Sequence, residues 1–342
     1  MNTEALNKSG IPLIETRNLC KYFKTAKGDL HAVDKVNISI ERGKTLGVVG
    51  ESGCGKSTLG RTLLRLIEPT SGQVLFNGED IMTYDRRKMK KMREQMQIIF
   101  QDPYASLNPR MTVSDLIAEP IRVCGTIKDK HKIDEHVFEL METVGLAARF
   151  VNTYPHELDG GRRQRIGVAR ALAVDPKFIV CDEPVSALDV SIQAQILNLM
   201  MDLQDSRDLT YMFITHDLSV VKHISSEIAV MYLGQLVELA PTKELFANPL
   251  HPYTQALLDA IPIPNLKRRN QERNYIKGEV TSPIDPPPGC RFAARCPYSN
   301  ESCKHEMRLT EIVPGHFVLC SKFCECCRAK GSCRKSNYVQ EN

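Results

Sequence analysis

The stretch GESGCGKST, residues 50–58, has residue types and spacing suited to holding the phosphates of a nucleotide. It fits the pattern G-x-x-x-x-G-K-[ST] between a predicted strand, KTLGVVG, and a helical pattern, LGRTLLRLI, which is the context that this motif requires. The glycines let backbone N–H groups surround the phosphates, Lys56 would neutralise the β and γ oxygens, and the Ser57 hydroxyl would ligate Mg²⁺. We therefore expect a nucleotide site formed by Gly50, Glu51, Ser52, Gly53, Cys54, Gly55, Lys56, Ser57 and Thr58.

Two adjacent acids end a second apolar run, FIVCDEP, at residues 178–184. Asp182, at the carboxyl edge of a strand beside the phosphate loop, would hold the Mg²⁺ shell. Glu183 would polarise the water that attacks the γ-phosphate. The alternative is a pair of surface acids at a strand end, which the phosphate loop makes the weaker interpretation. The sequence thus predicts hydrolysis as well as binding.

A Gly-Gly pair in YPHELDGGRRQR, residues 154–165, offers a second place for an anion. Free N–H groups at the start of a helix and the helix dipole both attract negative charge. Asp159, however, stands directly before Gly160 and Gly161, and its carboxylate brings a negative charge. Arg162 and Arg163 follow the glycines and are both candidates to offset that charge.

Eight of the twelve cysteines fall in residues 290–342. Disulfides are rare in a reducing compartment, so this clustering favours metal ligands there. The spacing C-x5-C-x6-C-x16-C differs from the C-x2–4-C of a structural zinc finger and suits a [4Fe–4S] cluster, with zinc or free thiols as the alternatives. The candidate ligands are Cys290, Cys296, Cys303 and Cys320. The surplus cysteines, interpreted as unassigned reactive thiols rather than a second metal site, are Cys324, Cys326, Cys327 and Cys333.

The elements that position these residues belong to an α/β fold, because short apolar runs alternate with helical patterns from about residue 12 to 260. KTLGVVG and FIVCD are predicted to be buried parallel strands. The run DRRKMKKMREQ at 85–95 is interpreted as a solvated basic helix face. Prolines and charges without periodicity predict a linker. The predicted organisation is a nucleotide-binding domain at 1–260, a linker at 261–289 and a Cys-rich C-terminal module at 290–342.

Composition and charge exclude several classes of protein. The chain has 342 residues, of which 25% are charged and 42% hydrophobic, as in ordinary globular proteins. Its net charge of +4 is too small to indicate a nucleic-acid partner. No apolar run approaches the ~20 residues of a membrane span, and MNTEALNKSGIP lacks the apolar core of a signal peptide. We expect a cytosolic chain, which leaves docking on a membrane protein open.

In the order of its motifs the chain resembles the ATP-binding subunits of ABC transporters. IIFQDP resembles the Q-loop of that family through Gln101, SALD resembles the D-loop through Asp189, and FITHD resembles the switch region through His216. LDGGRRQR resembles the signature loop, normally LSGGQ. In LCKYF, Phe23 is the expected adenine-stacking aromatic, with Tyr22 as the alternate. The resemblance implies a P-loop NTPase of the ABC ATPase type, with a RecA-like core and a helical subdomain.

That resemblance implies a head-to-tail pair of ATPases, in which each ATP lies between one subunit's phosphate loop and the other's signature loop. Gln101 and Asp182 would order Mg²⁺ and water, Glu183 would activate the water, and His216 would contact the γ-phosphate. The family's signature serine donates a hydrogen bond to the γ-phosphate, which the carboxylate of Asp159 cannot do. Losing that bond costs about 1.5–3 kcal/mol, and like-charge repulsion adds about 1–4 kcal/mol.

Asp159 therefore leads us to expect a heterodimer, in which this chain's signature loop weakens its partner's site while Glu183 acts in the better one. The alternative is that a local rearrangement tolerates the aspartate, so that both sites turn over.

Four segments resemble the oligopeptide and dipeptide importers in particular: SLNPRMTV, DEPVSALDVSIQAQ, NPLHPYTQALL and PPPGCRFAARCPYSNESC. This branch implies two membrane-spanning permease subunits, a second, different ATPase, and an external substrate-binding protein reached indirectly. It also implies a peripheral position on the cytoplasmic face of the membrane and supports the [4Fe–4S] cluster. A nickel importer is the nearest alternative. A soluble ABC ATPase or a metal-cluster scaffold is less favoured, since the chain lacks a coiled-coil insertion or second ATPase domain.

Overall fold

The computed structural model describes residues 10–261, 278 and 281–323 of the chain. In chain order its strands are β1 (Ile14–Thr25), β2 (Gly28–Val36), β3 (Ser39–Ile40), β4 (Thr45–Val49), β5 (Ser71–Phe76), β6 (Glu79–Asp80), β7 (Met96–Ile99), β8 (Phe178–Asp182), β9 (Thr210–Ile214), β10 (Glu227–Tyr232), β11 (Gln235–Pro241), β12 (Thr310–Val313) and β13 (His316–Val318). Its helices are α1 (Lys56–Leu63), α2 (Arg86–Gln95), α3 (Pro103–Ser106), α4 (Val113–Cys124), α5 (Lys130–Thr143), α6 (Gly160–Leu172), α7 (Val190–Arg207), α8 (Leu218–Ile224), α9 (Thr242–Ala247) and α10 (Pro252–Asp259).

A mixed sheet with a parallel central part forms the centre of the fold and carries the predicted strands. Within the described residues it has eight strands in the order β12-β13-β11-β10-β4-β9-β8-β7. β10, β4, β9, β8 and β7 run parallel, and every residue of β4 and β8 is buried. Sheets of this kind are covered on both faces, which is why the runs TLGVV and FIVCD are almost continuously apolar.

Alternate residues of these strands face two different hydrophobic cores. On β8, Ile179 and Cys181 belong to the core shared with α4 to α8, whereas Phe178 and Val180 belong to the core shared with α1 and the second sheet. That second sheet is antiparallel, with β2, β1, β5 and β6 in order and β3 beside β1. The helix α1, which follows the phosphate loop, therefore lies between the two sheets.

The chain between β7 and β8 forms a helical layer of α3 to α6. Its apolar residues include Leu116, Ile117, Leu140 and Ile166, all nearly or fully buried. This layer corresponds to the predicted helical subdomain and carries the Gly-Gly stretch at the start of α6. The basic run 85–95 forms α2, in which Met89 is buried and most other side chains are exposed, as predicted.

The C-terminal residues extend the central sheet, because β13 pairs antiparallel with β11 and β12 pairs with β13. A buried contact reinforces this edge, with His316 Nε2 at 2.7 Å from Glu238 Oε1 and both side chains inaccessible. Most of the predicted linker and the surplus cysteines from Cys324 onward lie outside the described residues. No helix in the described part of the chain is long and apolar enough to cross a membrane.

Candidate functional site

The phosphate loop connects β4 to α1 and depends on glycine at both of its ends. Gly50 (φ 154°) and Gly55 (φ 104°) have backbone angles that L side chains rarely adopt. A Cβ at Gly50 would lie 2.2 Å from the Met231 carbonyl oxygen, and one at Gly55 would lie 1.9 Å from that of Ala32. The loop therefore packs backbone against backbone, and its conformation admits no side chain at these two positions.

Lys56 lies in the first turn of α1 and turns its side chain back into the loop. Its Nζ donates to the carbonyl oxygens of Gly50 (2.8 Å) and Glu51 (2.9 Å), and the residue is 4% exposed. Ser52, Gly53 and Cys54 complete the loop, with the Cys54 sulfur 3.8 Å from Lys56 Nζ. A fixed ammonium at a helix N-terminus is suited to phosphate oxygens. The predicted loop residues are thus brought together.

The predicted Mg²⁺ ligands are in direct contact, although they are far apart in the sequence. The Ser57 hydroxyl donates to Asp182 Oδ1 at 2.6 Å, and Asp182 is 1% exposed at the end of β8. Arg61 Nη2 lies 3.4 Å from the other carboxylate oxygen. A buried carboxylate beside a hydroxyl provides the hard oxygen donors that Mg²⁺ prefers.

Two of the other predicted residues contact the carboxylate of Glu183. Gln101 Nε2 donates to Glu183 Oε2 at 3.0 Å, and His216 Nδ1 lies 3.3 Å from the same oxygen. Glu183 has a positive φ of 48°, and its N–H donates to the Ile214 carbonyl oxygen of the neighbouring strand. Such backbone strain in a non-glycine residue often occurs at functional sites. The carboxylate is consequently fixed on one oxygen, while the other has no hydrogen bond within the described residues.

The two candidate adenine-stacking aromatics on β1 have different surroundings. Tyr22 stacks on His31 with ring centroids 3.9 Å apart, and its hydroxyl donates to Asp34 at 2.6 Å. Burial and that hydrogen bond raise the pKa of Tyr22. Phe23, by contrast, is partly exposed, with Lys21 Nζ at 4.8 Å from its ring centroid. The ring and hydroxyl of Tyr22 are therefore already in contact with other side chains, and Phe23 stays the prediction for the adenine contact.

The signature loop caps α6 through the carboxylate of Asp159. Asp159 Oδ1 accepts the Arg162 backbone N–H at 2.8 Å, and Oδ2 lies 2.8 Å from Arg162 Nη1. Arg163 is directed elsewhere, since its Nε donates to the Pro155 carbonyl oxygen. Of the two arginines that could offset the negative charge, it is Arg162 that pairs with Asp159.

The D-loop and the signature loop adjoin each other through α7. Asp189 is exposed at the start of α7 and makes no capping hydrogen bond through its side chain. A Cβ at Gly160 would lie 3.1 Å from Leu188, and one at Gly161 would lie 2.7 Å from Ile192. Among the described residues, the signature loop shares no hydrogen bond or ion pair with the phosphate loop of its own chain.

The sequence reasoning missed two residues that hold the phosphate loop from the C-terminal side. The Arg295 guanidinium binds both carboxylate oxygens of Glu51 at 2.9–3.2 Å, and the Tyr253 hydroxyl accepts the Glu51 N–H at 2.8 Å. Burial opposes the charged guanidinium, but the hydrogen bonds to Glu51 and Tyr232 prevail and raise the pKa of Arg295. Both residues lie in segments that carried the importer resemblance, yet no spacing rule relates them to residue 51.

The four candidate metal ligands line a single cavity of about 450 Å³, which His251 and Phe292 also border. Burial raises the pKa of the Cys290 thiol to about 12 and also raises those of Cys296 and Cys320. Within residues 10–261, 278 and 281–323, no group of three or more His, Cys, Asp or Glu side chains could hold a metal ion. The four cysteines thus border one cavity, although their side chains as placed do not form a metal-binding group.

Comparisons with known proteins agree with this geometry. Residues 33–186 match the ABC transporter family, and residues 237–303 match the family described as oligopeptide/dipeptide transporter, C-terminal region. The oligopeptide transport ATP-binding protein AppF of Bacillus subtilis is 50% identical over 90% of this chain and 96% of its own length. The oligopeptide transport ATP-binding protein OppF of the same organism is 52% identical over 91% and 96%.

Solved structures show the same fold. The dimeric, post-hydrolysis structure of the ATP-binding cassette MJ0796 bound to ADP and Pi superposes with a TM-score of 0.62 at 27% identity, covering 67% of this chain and 98% of that one. The predicted P-loop NTPase fold of the ABC ATPase type is thereby confirmed. The separate Cys-rich module at 290–342 stays a prediction.

Proposed function

The chain belongs to the family of ABC transporter ATP-binding proteins and is therefore an ATP-hydrolysing transporter subunit, and from this premise we propose that it powers the import of oligopeptides or dipeptides. The match over residues 237–303 to oligopeptide/dipeptide transporters favours peptide over nickel as the cargo. The observation that carries the enzymatic part is the convergence on one sheet edge of Ser57 with Asp182 and of Gln101 and His216 with Glu183.

In this proposal each residue of the site acts on ATP or on the attacking water. Lys56 and the loop N–H groups hold the phosphates, while Ser57 and Asp182 hold Mg²⁺, which when bound neutralises phosphate charge. Gln101 and His216 contact one oxygen of Glu183, so its other oxygen is available to orient the water and accept its proton. Phe23 stacks on the adenine.

The partners follow from the family and from the signature loop. A peptide importer ATPase acts on membrane permeases, and we propose two permease subunits, an external substrate-binding protein reached through them, and a peripheral position on the cytoplasmic face of the membrane. We also propose that the second ATPase is a different chain. The signature loop of this chain supports this proposal, because Asp159 and Arg162 depart from LSGGQ while Lys56, Asp182 and Glu183 keep the residue types that the rest of the ATP site requires. Pairing with a chain that has the ordinary signature would therefore create two unlike ATP sites.

We further propose that Cys290, Cys296, Cys303 and Cys320 hold a [4Fe–4S] cluster within a C-terminal module at 290–342, joined by a linker at 261–289 to the ATP-binding domain at 1–260. The support is that all four cysteines line one cavity and that thiols are the ligands that iron–sulfur clusters prefer. Such a group would supply a structural cross-link, because ATP-driven import requires no electron.

The transport proposal is tested by pulling the tagged chain from detergent-solubilised membranes and identifying the co-purifying chains by mass. We expect two multi-span subunits and a second, different ATPase; a soluble self-dimer would contradict both the importer and the heterodimer. In the purified complex Glu183→Gln should lower turnover at this chain's own ATP site about 10²- to 10⁴-fold and leave the second site active. The corresponding change in the second ATPase should cost the complex less of its total turnover. The exposed Glu301→Gln serves as the control.

The cluster proposal is tested by iron and acid-labile sulfide content after anaerobic purification, together with visible absorption. We expect about four irons per chain, lost in Cys303→Ser and retained in Cys124→Ser, whose thiol lies on α4. Zinc in place of iron, or iron content unchanged in Cys303→Ser, would refute the proposal.

A further inference from the structure

The signature loop departs from LSGGQ at two positions, and these two residues bind each other. Asp159 stands at the position of the serine and Arg162 at that of the glutamine. One carboxylate oxygen of Asp159 accepts the Arg162 N–H and the other is 2.8 Å from Arg162 Nη1. Both departures thus form a single ion pair at the start of α6.

This pair changes the charge that the loop presents. The carboxylate faces a guanidinium at contact distance, so the two side chains together carry no net charge. What remains at the start of α6 is the positive end of the helix dipole and the N–H groups of Gly160 and Gly161, which as the first two residues of the helix have no acceptor within it. A loop that was expected to repel phosphate therefore retains an attraction for anions.

The guanidinium of Arg162 is fixed in position but remains accessible to solvent. Its side chain is 45% exposed and lies over the Phe150 ring, with 4.9 Å from Cζ to the centroid. One of its nitrogens is bound to Asp159, and a guanidinium carries five N–H donors. Arg163 cannot take this role, because its Nε is bound to the Pro155 carbonyl oxygen and its guanidinium covers Tyr104.

We propose that Arg162, oriented by Asp159, contacts the terminal phosphate of the ATP bound to the paired ATPase and replaces the hydroxyl donor of the usual signature serine. The inference rests on the proposed function, because it requires two ATPases that share each ATP. Asp159 is then a positioning residue whose negative charge is offset in place, and the partner's ATP site is competent with a guanidinium donor.

The experiment is a double-mutant cycle in the purified transporter complex. Glu183→Gln in this chain silences its own site, so the remaining turnover reports the site completed by Arg162. In that background we compare Arg162→Gln, Asp159→Ser and the double variant, which restores the sequence LSGGQ. Arg149→Gln is the matched control, because Arg149 covers the same Phe150 ring at 5.0 Å.

Arg162→Gln should lower kcat/KM at the partner's site about 10- to 100-fold, because it removes a charged donor and exposes the Asp159 carboxylate to phosphate. Asp159→Ser should change it less than about 3-fold, and the double variant should recover to within about 3-fold of the parent. Each variant keeps an N-cap for α6, so thermal melting should stay unchanged and identify any misfolded protein.

Three results would overturn the inference. A rate that Arg162→Gln leaves equal to the Arg149→Gln control would show that Arg162 does not reach the ATP. If Asp159→Ser raised kcat/KM equally with arginine and with glutamine at position 162, Asp159 would merely impair the site. A double variant as slow as Arg162→Gln would show that the two residues do not act as a pair. Co-purification of the complex is measured first. If the complex does not form, that result contradicts the proposed function and not the role of Arg162.

Discussion

Replacing Arg295 by methionine should loosen the phosphate loop and weaken ATP binding. Arg295 is 9% exposed and Glu51 29%, so removing the guanidinium leaves a largely buried carboxylate without its cation. The loss of a buried ionic partner costs about 3–5 kcal/mol. Partial hydration of Glu51 reduces this, and we expect about 2–3 kcal/mol less unfolding free energy.

The effect on ATP follows from the position of Glu51 in the loop. Without Arg295, the loop would lose the side-chain contact of Glu51 and would be held there through the Glu51 backbone, by the Tyr253 hydroxyl and Lys56. An unneutralised carboxylate would also lie beside the site for a polyanion. At an effective dielectric typical of a protein surface this amounts to about 1–2 kcal/mol, or a 5- to 30-fold rise in the Kd for ATP.

The assay combines urea unfolding with titration of a fluorescent ATP analogue in the presence of Mg²⁺. Arg17→Met is the matched control, because Arg17 pairs with Glu15 at 2.6 Å but is 52% exposed, and exposed pairs contribute little. Glu51→Gln combined with Arg295→Met should recover most of the affinity. If Arg295→Met matches the control in both measurements, or the double variant shows no recovery, the reasoning about this ion pair is wrong.

Two further predictions concern stability. Gly60→Ala places a Cβ 2.8 Å from Val180 Cγ1 between α1 and the sheet and should cost about 1–3 kcal/mol, whereas Gly167→Ala in α6, with nothing within 4 Å, should be neutral or stabilising in thermal melts; equal melting temperatures would contradict this. Burial lowers the pKa of His251 to about 3. Between pH 6.5 and 3 this histidine therefore takes up a proton only in the unfolded chain. The free energy of unfolding is largest above pH 6.5 and falls by about 1.4 kcal/mol for each pH unit below it. His251→Asn, which keeps an acceptor for the Tyr253 N–H, should reduce that loss between pH 6.5 and 4.5 in urea unfolding, and parallel pH profiles would refute it.

The phosphate loop was predictable because its chemistry is local. Its glycines, Lys56 and Ser57 are contiguous, so a strand, a tight turn and a helix N-terminus suffice to place them. The strands β4 and β8 were predictable for a related reason, since complete burial on both faces requires an uninterrupted apolar run. The family resemblance depended on the same local motifs taken in order.

The contacts between distant segments were decided by tertiary structure. Gln101 and Glu183 are 82 residues apart and meet because parallel strands bring their carboxyl ends to one edge of the sheet. Glu51 and Arg295 are 244 residues apart and meet because the C-terminal segment returns to the phosphate loop. Sequence spacing carries no information about such returns, which depend on how the elements pack.

The choice between near-equivalent neighbours was decided in the same way. Arg162 and Arg163 are chemically identical, but successive residues on a helix point about 100° apart. One therefore faces the Asp159 carboxylate at the cap, and the other faces the Pro155 carbonyl oxygen. The sequence determined that a phosphate-binding ATPase site exists and which residues form its loop. The packing of α6 determined which arginine neutralises the aspartate, because helix geometry and the surrounding contacts fix the direction of each side chain.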